Sequence, residues 1–180
     1  QCCLVGSEMC IRDRDKTAIF EFDVNKSKEG KLIFEHDEVD VSGLMYSKKR
    51  KVLTGVNYTV AKRDIEFFDS WRENIQEKLE KKLPGYEVGI TSFSKDEAKA
   101  VVVTYSDKSR GTYYYYDVEN NKLTELGEIS PWLNEEYMAE MKPIKYKSRD
   151  GLTIHGYLTL PKGSDGCLLY TSPSPRDNTG

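Results

Sequence analysis

The chain has 180 residues, of which 38% are hydrophobic and 32% charged, and it carries a formal net charge of −3 at pH 7. This balance excludes the strongly basic surface that is typical of nucleic-acid-binding proteins. No apolar run approaches the roughly 20 residues that a transmembrane helix needs. We therefore expect neither a nucleic-acid partner nor a membrane partner.

The two ends of the chain are related to each other at the level of DNA. Leu4–Asp13 read LVGSEMCIRD, and Cys167–Asp177 read CLLYTSPSPRD. One back-translation of the first segment is the reverse complement of a back-translation of the second, and both resemble a transposase adapter used in sequencing libraries. Two ordinary loops would not show this relation by chance. We therefore expect 1–14 and 167–180 to be translated adapter that packs poorly against the biological segment, 15–166.

All four cysteines lie in these two tails, at positions 2, 3, 10 and 167. The cysteine count therefore predicts no disulfide and no metal site for the biological segment. We expect no metal and no cofactor. We also expect the natural N-terminus to be missing, which leaves a cytoplasmic and a periplasmic location both open.

Short strand-like runs fill most of the segment, and polar turn clusters separate them. The predicted strands are Thr17–Phe22, Lys31–Glu35, Gly43–Tyr46, Lys51–Ala61, Asp64–Phe68, Tyr86–Ser92, Ala98–Tyr105, Gly111–Asp117 and Lys122–Leu126. Many short strands at close spacing indicate a sandwich, a barrel or a propeller.

One helix interrupts this pattern at Ser70–Leu83. Ser70 and Glu73 have the spacing of a capping box. An apolar stripe follows at i, i+4 and i+8, and Pro84-Gly85 stops the helix. The stripe predicts either a helix that packs on the sheets, which we favour, or a helix that binds a partner.

The clearest repeat unit begins at the turn Ser92–Glu97. It continues through the strands Lys99–Tyr105, Thr112–Asp117 and Lys122–Glu125. In the run Tyr113–Tyr116 alternate rings face opposite sides of the sheet. We interpret these rings as packing between neighbouring sheets; an aromatic ligand platform is the alternative.

A second pattern lies near the end of the chain, where Met141–Lys147 and the segment Ser148–Gly163 (SRDGLTIHGYLTLPKG) read as a hairpin. Asp150-Gly151 predicts a type I′ turn between its two strands, because such a turn needs positive φ at both central residues.

The repeat unit resembles a blade of TolB-like and prolyl oligopeptidase-family β-propellers. The hairpin is similar to the passage where serine peptidases of the prolyl oligopeptidase family leave the propeller and begin the α/β-hydrolase domain. The acylaminoacyl-peptidase and dipeptidyl-aminopeptidase-like branch is the most similar. The resemblance implies a mainly β fold: two to three propeller blades over 15–140, with the helix at 70–83, and the first hydrolase hairpin over 141–166.

The resemblance also implies an intact parent that hydrolyses short peptides, with a propeller that restricts access to small substrates. Such chemistry needs a Ser on a G-x-S-x-G elbow, then Asp, then His. The sequence contains no such elbow, and Gly163-Ser164-Asp165-Gly166 lacks its spacing. We therefore assign no catalytic, cofactor-binding or metal-binding residue, and expect the fragment itself to be inactive. The alternatives are a non-catalytic TolB-like binding module and a relative whose triad has decayed into an interaction protein.

Two histidines call for a separate interpretation. His36 lies in an acidic stretch with Asp37, Glu38 and Asp40. This stretch lacks the spacing of zinc ligands, so it predicts a solvated turn rather than a metal site. His155 lies within a predicted strand, upstream of any catalytic serine, and is interpreted as a structural or surface residue.

Overall fold

The computed structural model describes residues 4–5, 8–11 and 16–163, and within them the chain is mainly β. The strands are β1 Leu4–Val5, β2 Glu8–Ile11, β3 Ala18–Asp23, β4 Lys28–Phe34, β5 Val41–Ser47, β6 Val52–Thr59, β7 Arg63–Phe67, β8 Glu87–Phe93, β9 Lys99–Tyr105, β10 Thr112–Asp117, β11 Lys122–Glu128, β12 Met141–Lys147 and β13 Thr153–Thr159. The helix α1 covers Ser70–Lys82, and a short 3-10 helix covers Glu135–Tyr137.

The strands form open antiparallel sheets, each joining strands that follow one another in the chain. The sheet orders are β1-β2-β3-β4, β5-β6-β7, β8-β9-β10-β11 and β12-β13. The prediction of a mainly β chain with one α-helix is confirmed. Its strand boundaries differ from the observed ones by a few residues. The strands β9–β11 correspond to the repeat unit that the sequence predicts, and β8 adds a fourth strand to their sheet.

Most of the two predicted adapter tails lies outside the described residues. The exceptions are β1 and β2, and β2 pairs with β3 so that Cys10 lies opposite Ile19. Part of the N-terminal tail thus joins a sheet edge, although we expected the tail to pack poorly. Strand addition at an open edge uses backbone groups and demands little of the sequence. The adapter origin of both tails therefore stays a prediction.

The N-cap of α1 is Asp69, and the predicted capping box at Ser70 is wrong. Asp69 has an extended backbone, and its Oδ2 accepts a hydrogen bond from the Arg72 N–H at 3.1 Å. This satisfies one of the backbone donors left free in the first helical turn. At the other end the Leu83 N–H donates to the Leu79 carbonyl at 3.0 Å, and Gly85 adopts a φ of +87°.

The largest apolar core lies where α1 packs on the β8–β11 sheet. Ile75 and Leu79 of the predicted stripe are buried, and Trp71 packs against the same cluster. The sheet contributes the buried residues Val88, Ala100, Val102 and Tyr116. α1 is therefore a packed helix, as favoured above. Among the described residues, the helical segments are too short or too polar to span a bilayer.

The tyrosines of β10 alternate between the two faces of the sheet, as predicted. Tyr116 is fully buried in the core and Tyr114 packs beside it, whereas Tyr113 is exposed. The Tyr116 hydroxyl donates to Asn121 Oδ1 at 2.8 Å, and Asn121 has a φ of +49°. A buried ring therefore fixes the β10–β11 turn, which supports the packing interpretation of this face over a ligand platform.

The turn between β12 and β13 is not the predicted type I′ turn. The Gly151 N–H donates to the Ser148 carbonyl at 3.0 Å, and the Ser148 N–H donates to the Leu152 carbonyl at 2.9 Å. Gly151 has a φ of +87°, whereas Asp150 does not have a positive φ. Asp150 Oδ1 instead accepts from the Leu152 N–H at 3.3 Å. The side-chain cap selects a longer loop with one left-handed residue, where glycine is favoured.

The packing of α1 leads to a prediction about stability. Replacing Leu79, which is fully buried, by Ala should lower the free energy of unfolding by about 2–5 kcal/mol, because the substitution leaves a cavity in the core. Urea titration followed by circular dichroism measures this loss. The matched control is Lys78→Ala on the exposed side of α1, where a change within about 0.5 kcal/mol is expected. Equal losses in the two variants would contradict the packing of α1.

Candidate functional site

His36 is held by the backbone of its own turn. Its Nδ1 accepts hydrogen bonds from the Glu38 N–H at 3.1 Å and the Val39 N–H at 3.3 Å. The ring lies 4.6 Å from the Tyr58 ring, measured between centroids. In the same loop Asp40 Oδ1 accepts from the Thr17 N–H at 2.6 Å. Both side chains therefore order the loop, which gives this stretch a structural role.

His155 is exposed on β13, opposite Lys145 of β12. Within residues 16–163 and the short strands before them, no three His, Cys, Asp or Glu side chains come close enough together to hold a metal ion. Of the segment Gly163–Gly166, only Gly163 lies within the described residues. The interpretation of this segment as something other than a nucleophile elbow stays a prediction.

The most connected polar cluster surrounds Arg50, in the turn between β5 and β6. Arg50 Nη1 donates to Asp69 Oδ1 at 2.8 Å, and its Nε donates to Glu97 Oε2 at 3.1 Å. Ser47 Oγ donates to Glu97 Oε1 at 2.5 Å. The guanidinium also lies 4.6 Å from the centre of the Trp71 ring, within the range of a cation–π contact. One cation thus joins two sheets and the start of α1.

Two charges in this cluster stabilise each other. The hydrogen bond from Arg50 is the main cause that holds the pKa of Asp69 below its ordinary value, and burial opposes it. The hydrogen bond to Asp69 likewise raises the pKa of Arg50, again against burial. The side chain of Glu97 keeps only 10% of its surface exposed. Arg50 and Asp69 are therefore charged together at neutral pH.

Glu97 has a backbone conformation that glycine usually takes. Its φ is +57°, and its N–H donates to the Ser94 carbonyl at 2.9 Å. Gly151 holds the corresponding place in the β12–β13 turn. A left-handed non-glycine residue costs roughly 1–2 kcal/mol. The contacts of the Glu97 carboxylate with Arg50 and Ser47 offset this cost and explain why a side chain occupies the position.

A cavity of about 1040 Å³ lies beside this cluster, between the β5–β7 sheet, α1 and β8. All seven residues of β8 line it. Arg72 of α1 also lines it and is only 5% exposed. Its Nη1 donates to Gln76 Oε1 at 3.2 Å. Burial, followed by the nearby charge of Arg63, lowers the pKa of Arg72 to about 10, so it is still a cation at neutral pH.

Sequence reasoning did not single out Arg50, Arg72 or Glu97. Arg72 lies next to the apolar stripe of α1, and Gln76 follows it four residues later. Residues at i and i+4 lie on the same side of a helix. This pair therefore could have indicated a second, polar stripe that borders the buried one. No comparable signal exists for Arg50 and Glu97, which are 47 residues apart.

The chain matches known proteins both in sequence and in structure. The chain is 28% identical over 182 residues to dipeptidyl aminopeptidase BIII of Pseudoxanthomonas mexicana, covering 94% of this chain and 26% of the relative. A solved structure from a study of two prolyl endopeptidases superposes with a TM-score of 0.55 and 16% identity, covering 91% of this chain and 24% of that one. No protein-family model matches the chain. The chain therefore spans about a quarter of the length of these relatives.

The Arg50 cluster leads to a prediction about pH. Asn is also a good N-cap residue, so Asp69→Asn keeps the helix cap and removes the charge. At pH 7 the variant should be less stable by about 1–2 kcal/mol, since it loses a charged hydrogen bond. The native pKa of Asp69 is lowered. The stabilisation is therefore present above the unfolded value of about 3.9 and is lost as the pH falls through the native value.

Urea titrations of both proteins between about pH 7 and pH 3 test this expectation. The difference in stability between the wild type and Asp69→Asn should shrink at the acid end. A difference that is the same at every pH would show that the charge of Asp69 contributes nothing.

Proposed function

We propose that this chain is the junction segment of a serine peptidase of the prolyl oligopeptidase family. The relative and the solved structure confirm its resemblance to that family. In this proposal 15–140 form the C-terminal part of the propeller, as two to three blades, and 141–166 begin the α/β-hydrolase domain. The intact protein hydrolyses short peptides, and the propeller restricts access to small substrates. The tails 1–14 and 167–180 derive from the sequencing adapter.

The observation that carries this proposal is the division of the described sheets. The sheets β5–β7 and β8–β11 follow one another as antiparallel meanders, and the hairpin β12–β13 forms a sheet of its own. This hairpin holds the motif that resembles the start of the hydrolase domain. The amino-acid sequence of the relative aligns across nearly the whole chain, so both parts of the resemblance lie within one aligned segment.

Among the described residues, two hydrogen bonds join the hairpin to loops beside the other sheets. The Tyr157 hydroxyl donates to the Ala61 carbonyl at 2.7 Å, and the Met141 N–H donates to Asp107 Oδ2 at 2.7 Å. Much of its apolar surface is exposed: Tyr146, Leu152 and Tyr157 each have more than half of their surface accessible. Such a surface is typical of an element that a further domain covers, as the proposal requires.

The chemistry of the proposed parent needs groups that this sequence lacks. The nucleophile of an α/β-hydrolase is a Ser on a G-x-S-x-G elbow, and an oxyanion hole stabilises the intermediate. No G-x-S-x-G occurs in the 180 residues. We therefore place the Ser, the Asp and the late His of the triad in a continuation of the reading frame beyond Gly166.

The proposal predicts that the 180-residue chain is not labelled by a fluorophosphonate probe and releases no dye from dipeptidyl or aminoacyl substrates. Without the triad and the oxyanion hole, neither the covalent step nor its stabilisation is available. Gel fluorescence and a chromogenic assay measure these outcomes. Labelling of the chain itself would overturn the placement of the triad.

The matched positive control is the natural continuation of the gene. It should encode a G-x-S-x-G elbow roughly a hundred residues further on, and its product should be labelled and should cleave short peptides. Replacing the elbow Ser by Ala in that product should abolish labelling. A continuation without the elbow would instead support a non-catalytic binding module or a decayed relative.

A further inference from the structure

The cavity beside α1 runs along a free strand edge. In the sheet β11-β10-β9-β8 the strand β8 pairs with β9 alone among the described strands, so its other edge has no strand partner. All residues of β8 line the cavity. The Val88 carbonyl accepts from Gln76 Nε2 at 2.8 Å. An extended peptide can add to such an edge through main-chain hydrogen bonds.

Arg72 supplies a buried cation whose partner is neutral. Within the described part of the chain, its guanidinium has one hydrogen-bond acceptor, Gln76 Oε1, and no carboxylate lies within ion-pair distance. Gln76 in turn donates a hydrogen bond from its Nε2 to Glu80 Oε1 at 2.9 Å, so Gln76 links Arg72 to Glu80. A buried charge without a charged partner is costly, and native structures usually pair it.

The orientation of the Arg72 guanidinium is fixed by two rings. Its centre lies 5.5 Å from the Phe67 ring and 5.8 Å from the Phe93 ring, measured to the ring centroids. Both phenylalanines line the cavity as well. A guanidinium held in this way offers its remaining N–H groups in a rigid fork, which matches a carboxylate better than a lysine does.

A second, exposed cation lines the same cavity. Arg63 of β7 is exposed, and its Nη2 donates to Asn57 Oδ1 at 3.1 Å. Gly89 of β8 leaves room beside it, since a Cβ at Gly89 would lie 3.9 Å from Arg63 Nη1. Six carboxylates also line the cavity, and none lies within ion-pair distance of Arg72: Asp64, Glu73, Glu77, Glu80, Glu87 and Glu97. Arg72 and Arg63 therefore offer two cations to the cavity, and the hydrogen-bond acceptor of each is a neutral amide.

We propose that this cavity binds the C-terminal carboxylate of an extended peptide. Arg72 receives the carboxylate between Phe67 and Phe93, the exposed Arg63 attracts it, and the free edge of β8 pairs with the peptide backbone. The site uses residues of the propeller part alone. It does not depend on the peptidase function proposed for the intact parent, and the fluorophosphonate experiment tests that function separately.

Calorimetric titration of the 180-residue chain with N-acetyl-Ala-Ala-Phe tests the site. The free acid should bind, and the C-terminal amide of the same peptide should bind about tenfold more weakly or worse, since the amide loses the charged hydrogen bonds to Arg72. Sodium acetate separates a general anion site from a peptide site, and it should bind far more weakly than the peptide acid. Equal binding of acid and amide, or no binding of the acid, would overturn the proposal.

Substitutions locate the site. Arg63→Gln should weaken binding of the acid several-fold and leave binding of the amide unchanged, because Arg63 acts on the charge alone. The matched control is Arg149→Gln, which removes the same charge from the exposed β12–β13 turn and should have no effect. Arg72→Gln should abolish the preference for the acid, with circular dichroism as the check that the variant folds. The proposal fails if Arg63→Gln behaves like Arg149→Gln, whatever the fate of Arg72→Gln.

Discussion

The arrangement of the central sheets depends on one cation, Arg50. Its guanidinium contacts the N-cap of α1 through Asp69 and the β8–β9 turn through Glu97. The strand that precedes it contributes Ser47, which binds the same Glu97 carboxylate. Three segments that are distant in sequence are thereby held at fixed positions. An ion pair with both partners mostly buried is costly to break, because the remaining charge is left without compensation.

This network explains why a glutamate holds the left-handed position of the β8–β9 turn, whereas glycine holds the corresponding position of the β12–β13 turn. Both turns have a Ser, a following Asp whose carboxylate caps the loop, and one left-handed residue. Gly151 takes that place in the β12–β13 turn, where a Cβ would meet no atom within 4 Å. Glu97 takes the corresponding place in the β8–β9 turn, where its carboxylate contacts Arg50. Local strain is retained at Glu97 because a contact between two sheets depends on its side chain.

The strands, the helix and the buried face of α1 could be predicted from the sequence, because each depends on a local pattern of alternation, periodicity or turn residues. The N-cap was assigned one residue too late, because Asp69 and Ser70 are both good caps and Glu73 has the spacing of a capping box with Ser70. The β12–β13 turn was misassigned for a similar reason, since the Asp150 side chain changes the loop that Asp-Gly alone predicts. The cluster of Arg50 and Glu97 depends on how the sheets meet, and no periodicity within either segment records that.

Arg50 and Arg72 lie in the same fold, but their guanidinium groups have different surroundings and opposite pKa shifts. Arg50 lies over the Trp71 ring and Arg72 lies over the Phe67 ring, and both arginines line the same cavity. Arg50 contacts two carboxylates, and the pKa of its guanidinium is raised. Arg72 is more deeply buried and contacts one amide, and its pKa is lowered.

A carboxylate is available near Arg72 as an ion-pair partner, since Glu80 accepts a hydrogen bond from Gln76. A helix that needed Arg72 only for packing could carry an apolar side chain there at less cost. The retained charge therefore argues for an anionic partner that enters the cavity along β8.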